Sequence, residues 1–152
     1  MSTSAVLAEV NVRGVLSGHG IGTDQGTVLE AAASGMGTAS RIGQFTYILQ
    51  ATVDLVTGDG AGAFLLAFSN GDVIYGRFVG HGDAPPPPPP TPGHIVEHLT
   101  ITGGTERFQG ASGSLTFDRL VDLNFDSATK LPAFDSHSGT LTGTISIPGS
   151  TD

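Results

Sequence analysis

Apolar side chains recur at every second position along most of this chain, and glycine is spread among them. The pattern is clearest over residues 137–147, where Leu141 and Ile145 alternate with threonine and serine. A two-residue period is typical of a β-strand with one buried face, because successive side chains point to opposite sides. The one alanine-rich run, residues 30–33, is soon followed by Gly35, which disfavours a helix. The chain is therefore predicted to be all-β.

Eight strands are predicted from this alternation and from the turns between its segments. They cover approximately Glu9–Leu16, Thr27–Met36, Gln44–Asp54, Gly62–Phe68, Val73–His81, His94–Thr102, Ser114–Asp122 and His137–Ile147. The loops Thr57–Gly60 and Asn70–Asp72 predict hairpins, since each supplies a glycine for the positive φ of a tight turn. Eight antiparallel strands without a covering helix favour a single closed barrel, because closure removes exposed strand edges. A β-sandwich is the alternative.

The length fits one domain. We predict a single β-barrel domain over residues 1–152, with a proline-rich loop at 83–93. Proline fixes φ and has no amide donor, so Pro85–Pro90 is expected to form a stiff, exposed polyproline connector between two strands. A ligand for a proline-binding domain is the alternative for this segment.

Charge and composition exclude several classes of function. The net charge is −8 with six Lys and Arg residues, which argues against binding nucleic acid. Cysteine is absent, so disulfides, thiolate metal sites and cysteine nucleophiles are excluded. No apolar stretch approaches the ~20 residues of a membrane helix, and the N-terminus lacks the features of a signal peptide. We expect a cytoplasmic protein without a membrane partner, or a secreted one if a signal peptide preceded Met1.

The most specific segment runs from Leu99 to Gly113 and contains I-T-G-G-T-E-R-F-Q-G-A-S-G. It resembles the I-T-G-G-x-x-x-F-x-G-A-x-G segment of the allene oxide cyclases, and plant dirigent proteins carry a related G-G-T-G-x-F. The likeness is good over residues 99–122, faint over 71–82, and closest to uncharacterised bacterial proteins with this segment. In physical terms, we expect Gly103 and Gly104 to turn the chain sharply and Phe108 to plug one end of the barrel.

The resemblance implies an antiparallel eight-stranded barrel that forms homo-oligomers. It also implies an isomerase or cyclase that needs no cofactor and holds an apolar small molecule inside the barrel. The N-terminal strand supplies part of the cyclase site, and the N-terminal residues here do not match it, so no catalytic residue is transferred from the family. A non-catalytic ligand-binding or structural barrel is the alternative function.

Catalytic candidates come from the predicted strands themselves. If the faces that carry Tyr75, Arg77 and Glu97 point into the barrel, Arg77 and Glu97 form a buried polar pair near Tyr75. Glu97 is then the candidate general acid or base, and Tyr75 orients a substrate oxygen. In the alternative, the opposite faces point inward, and Arg77 and Glu97 are surface partners.

Other interior residues are candidates for binding a ligand, because an eight-stranded barrel is just wide enough to hold one small molecule. They are Tyr47, Phe45, Leu99 and Phe117, and Arg119 shares the face of Phe117.

The histidines do not predict a metal site. His94 and His98 form an H-x-x-E-H pattern, but on a strand they lie too far apart to share a zinc ion. His19, His81 and His137 are expected to be exposed.

Overall fold

The computed structural model describes residues 7–24, 26–84, 87, 91–125 and 132–148. Eight antiparallel strands close into one barrel in which each strand pairs with its neighbours in sequence and the last pairs with the first. The strands are β1 Leu7–Asp24, β2 Val28–Ala39, β3 Gly43–Asp54, β4 Asp59–Phe68, β5 Val73–Gly82, β6 Gly93–Gly104, β7 Ser112–Phe125 and β8 Pro132–Pro148. The predicted barrel is confirmed, and the sandwich alternative is wrong.

The first strand is longer than predicted, since it continues past Leu16 to Asp24. Its second half places Gly18, Gly20 and Gly22 on the inner face, where the apolar residues of the pattern were expected. A glycine leaves no inward side chain, so the alternation that indicates a strand is lost from the sequence. The interval left between the last two predicted strands, residues 123–136, is also too long, because β7 reaches Phe125 and β8 begins at Pro132.

Most of the proline-rich segment lies outside the described residues, including Pro85, Pro86 and residues 88–90, so the polyproline connector stays a prediction. On its two sides β5 ends at Gly82 and β6 begins at Gly93. The described ranges contain no helix that is long and apolar enough to cross a membrane.

One end of the barrel is closed by the turn between β6 and β7. A short 3-10 helix there, Glu106–Phe108, turns Phe108 into the interior, where its side chain is buried against Phe68 with ring centroids 4.9 Å apart. The Arg107 guanidinium lies over both rings, and its Nε is 3.0 Å from Oδ2 of the buried Asp72. The predicted role of Phe108 as a plug is therefore confirmed.

Large side chains fill the barrel next to the plug, and small ones line the other end. The fully buried side chains of the filled part include Leu66, Ile74, Leu99, Leu115, Leu141 and Ile145. Towards the other end the inner face of β2 carries Ala31 and Ala33, and that of β5 carries Gly80 and Gly82. The backbone hydrogen bonds fix the width of the cylinder, so small side chains leave empty space inside it.

We expect Phe108→Ala to lower the free energy of unfolding by about 3–5 kcal/mol, because it removes the plug and leaves a cavity. Leu120→Ala is the matched control, since Leu120 is 53% exposed on the outer face and its loss should change stability by at most about 0.5 kcal/mol. Urea unfolding followed by circular dichroism measures both. Equal losses from the two variants would contradict the role given to Phe108.

Candidate functional site

A cavity of about 150 Å³ occupies the barrel at the end opposite the plug. Its walls are mostly aliphatic and include Leu29, Ala31, Leu49, Ala51, Phe78 and Ile95. Charged side chains also reach it: Glu97, Arg119 and Asp135 come from β6, β7 and β8, and Asp54 and Asp83 lie at its mouth. Charged groups inside an apolar wall are costly unless they are paired, so their arrangement indicates what the cavity does.

Glu97 and Arg119 form a two-fold hydrogen-bonded ion pair within the barrel. Arg119 Nε donates to Glu97 Oε1 and Arg119 Nη2 donates to Glu97 Oε2, each at 2.8 Å. Both residues point inward because they take the place of an apolar residue in the alternation, Glu97 between Ile95 and Leu99. Only 4% of Glu97 and 5% of Arg119 are exposed. Parallel N–H···O bonds of this kind combine strength with a fixed geometry.

The third guanidinium nitrogen of Arg119, Nη1, takes no part in the ion pair with Glu97. This nitrogen is buried and has no hydrogen-bond partner among the residues that the structure describes. A guanidinium can only donate, and a buried donor without an acceptor costs about 1–3 kcal/mol. Arg119 is also one of the residues that line the cavity.

A second polar chain connects β3 to β8. The Tyr47 hydroxyl lies 2.6 Å from His137 Nε2, and His137 Nδ1 lies 2.7 Å from Asp135 Oδ1. An ionised carboxylate accepts only, so the proton between His137 and Asp135 belongs to Nδ1. Nε2 of the neutral ring then accepts from the Tyr47 O–H. This tautomer is assigned from the hydrogen-bond partners.

Burial makes the Tyr47 hydroxyl a very weak acid. Tyr47 is 1% exposed, and this burial raises its pKa; the Arg119 charge opposes the shift, while the Asp135 and Glu97 carboxylates add to it. The aromatic rings of Tyr47 and Phe117 meet edge to face with centroids 5.7 Å apart. Tyr47 is thus a neutral hydrogen-bond donor at neutral pH.

Glycines on neighbouring strands make room for these polar groups. A Cβ atom at Gly18 or Gly35 would collide with the Tyr47 hydroxyl, and one at Gly20 would collide with the Asp135 carboxylate. The glycines of β1 and β2 that obscure the strand pattern are therefore required by the polar interior.

Interior charges do not cancel. Glu97 and Arg119 neutralise each other. Three further carboxylates line the cavity, those of Asp54, Asp83 and Asp135. The cavity therefore favours a neutral or cationic molecule over an anion.

The three predicted catalytic residues, Tyr75, Arg77 and Glu97, do not lie together, because only Glu97 is inside the barrel. Glu97 faces the interior, but Tyr75 is 42% exposed and Arg77 is exposed, both on the outside of β5. The inward placement of Tyr75 and Arg77 and the pairing of Arg77 with Glu97 are wrong. Ile74 and Phe78 take the inner face of β5 instead, and Arg77 lies opposite Thr100.

The four predicted ligand-binding residues are all buried inside the barrel, as their alternation indicates. Phe45, Tyr47, Leu99 and Phe117 nevertheless pack in the filled part of the core, and none of them lines the cavity.

Sequence reasoning missed His137 and Asp135. The expectation that His137 is exposed is wrong, since only 5% of it is exposed. Its signal was present, because His137 starts the inward row that continues through Leu141. Asp135 fell in the interval between the last two predicted strands, so no signal pointed to it.

The outer histidines bind no shared partner. His94 contacts Asp118 at 2.6 Å, and His98 contacts Thr116 at 3.4 Å, both on the exposed surface. No cluster of three or more metal-binding side chains exists in the described part of the chain.

No protein-family model, curated protein or solved structure matches this chain.

We expect Arg119→Met to lower the free energy of unfolding by about 3–5 kcal/mol, because it leaves the Glu97 carboxylate buried and unpaired. The double variant Glu97→Leu/Arg119→Met removes both charges and should recover most of that loss. Urea unfolding of the wild type, Glu97→Leu, Arg119→Met and the double variant gives the four free energies of unfolding of a double-mutant cycle. Additive losses would show that the two charges do not depend on each other.

The raised pKa of Tyr47 predicts a loss of stability at high pH. Tyrosine in the unfolded chain ionises near pH 10, so the stabilisation by the neutral buried phenol is complete below about pH 10 and is lost as the pH rises through the folded pKa. Tyr47→Phe should abolish this decline in urea unfolding between about pH 9 and 11. Tyr75→Phe, on the outer face, should retain it, and an equal decline in both variants would contradict the assignment.

Proposed function

We propose that the protein binds a small, apolar and uncharged molecule in the cavity, with an oxygen atom of the ligand accepting a hydrogen bond from Arg119 Nη1. The observation that carries the proposal is Arg119 in a mostly aliphatic cavity wall, with a buried Nη1 that has no partner among the described residues. A binding site of this kind typically combines an apolar wall with a few polar groups that fix orientation.

The size of the cavity supports a compact ligand. A mostly apolar cavity of about 150 Å³ accommodates a molecule the size of benzene. Larger ligands would extend towards the mouth, which is lined by His81, Asp83 and His94. The negative charge of Asp135 disfavours carboxylic acids, so the proposed ligands are neutral compounds such as ketones, epoxides or alcohols.

The candidate activity is that of a cofactor-independent isomerase or cyclase. The likeness of residues 99–113 to the allene oxide cyclases supports it, as does a carboxylate in the same cavity as an unpaired donor. Desolvation in such a cavity strengthens each hydrogen bond to a bound substrate. A non-catalytic carrier of an apolar ligand is the second candidate, supported by the absence of the cyclase N-terminal residues.

We also infer that copies of this chain associate. An apolar row crosses the outer face of three strands, in which Ile48 pairs with Leu65 and Leu65 pairs with Tyr75. Ile48 and Tyr75 are exposed on this face. Native mass spectrometry of freshly purified protein reports the number of subunits and any retained apolar ligand in one measurement.

Binding is tested with cyclohexanone, a neutral ketone of suitable size, by NMR titration. Ala51→Leu adds three carbons to the cavity wall and should weaken binding by about tenfold or more, which is about 1.4 kcal/mol. Ala63→Leu is the matched control, because Ala63 is exposed on the outer face of β4. Cyclohexanecarboxylate should bind more weakly than cyclohexanone. Equal binding by both variants would place the ligand outside the cavity.

A further inference from the structure

We propose that Asp135 and Arg119 form the catalytic pair for moving a proton at the carbon next to a ketone, which shifts a neighbouring double bond into conjugation. The inference rests on the proposed binding of a ligand oxygen at Arg119 Nη1. It adds the reaction class, the base and the substrate class, a small β,γ-unsaturated ketone.

Arg119 supplies the electrophilic half of the pair. Its guanidinium stays protonated, so Nη1 polarises a carbonyl oxygen without transferring a proton. The two bonds to Glu97 hold the guanidinium in place before a substrate arrives. A guanidinium held in place at the cavity wall is the kind of group that stabilises an enolate oxygen.

Asp135 is better placed as the base than Glu97, although both carboxylates reach the cavity. Both oxygens of Glu97 accept hydrogen bonds from Arg119. Asp135 accepts a hydrogen bond from His137 at Oδ1, and one fifth of its side chain is exposed. A partly exposed carboxylate at the cavity can take a proton from a bound substrate.

The step balances within the substrate and this carboxylate. Asp135 takes the proton from the carbon between the carbonyl and the double bond, and the electrons of that C–H bond form a new carbon–carbon double bond. The carbonyl electron pair moves to oxygen, where Arg119 Nη1 stabilises it. The dienolate then restores the carbonyl and takes the proton back from Asp135 at its far carbon, giving the conjugated ketone.

His137 and Tyr47 are positioning residues in this scheme, since neither lines the cavity. Tyr47 donates to His137, which donates to Asp135 and so fixes the rotation of the carboxylate. Tyr47→Phe removes the first bond only. It should lower kcat for the isomerisation several-fold and leave KM unchanged, whereas damage to the cavity would raise KM.

The test uses 3-cyclohexen-1-one and follows its conversion to 2-cyclohexen-1-one by proton NMR. The wild type should catalyse it, and Asp135→Asn should lose about 100-fold or more in rate, the contribution typical of a general base. Asp122→Asn is the matched control, because Asp122 is exposed on the outer face of β7 and does not line the cavity. It should keep the wild-type rate.

A second test follows exchange of the C–H hydrogens of a ketone in D₂O. It uses the wild-type protein alone, so it does not require any variant to fold. In D₂O the protein should speed deuterium incorporation next to the carbonyl of cyclohexanone. Binding of cyclohexanone without exchange or isomerisation would overturn the catalytic pair and leave the proposed binding function intact. An Asp135→Asn variant as active as wild type would also overturn it. Failure to bind cyclohexanone would overturn both proposals.

Discussion

Closure of the backbone hydrogen bonds between β8 and β1 sets the limits for everything else in this protein. Once eight strands form a cylinder, its width is fixed by their number and stagger, and the strands cannot move inward to fill a gap. The volume of the inward side chains alone then decides whether the interior is solid or hollow. Leucine, isoleucine and phenylalanine make one end solid, whereas alanine and glycine keep the other end open.

The same fixed width explains why the glycines cluster where they do. A tyrosine ring and an aspartate that lie across the interior need space from the strand opposite. Gly18 and Gly35 supply it for Tyr47, and Gly20 supplies it for Asp135. Glycine weakens a strand, and that cost is offset by hydrogen bonds among buried groups that would otherwise be unpaired.

The barrel could be predicted because a strand pattern is local to each segment. Each of the seven predicted strands after the first follows the two-residue alternation closely enough to be recognised. The second half of the first strand was not predicted, because Gly18, Gly20 and Gly22 leave no inward side chains there. The site was harder to predict, because it depends on which face of each strand turns inward. Glu97 was found through its apolar neighbours on β6, but on β5 the bulkier Ile74 and Phe78 took the interior and left Arg77 outside. The partner of Glu97 is set by pairing between β6 and β7, which no pattern within one strand reveals.

Phe108 closes one end of the barrel, so within the described part of the chain the cavity opens at the other end. If the proposed binding function holds, a molecule leaves the cavity by the route it entered, and one occupant has to depart before the next arrives. A compartment with one entrance suits the rearrangement of a single compound into its isomer, since no second reactant needs a separate path. The closing segment around Phe108 then lies a full barrel length away from that entrance.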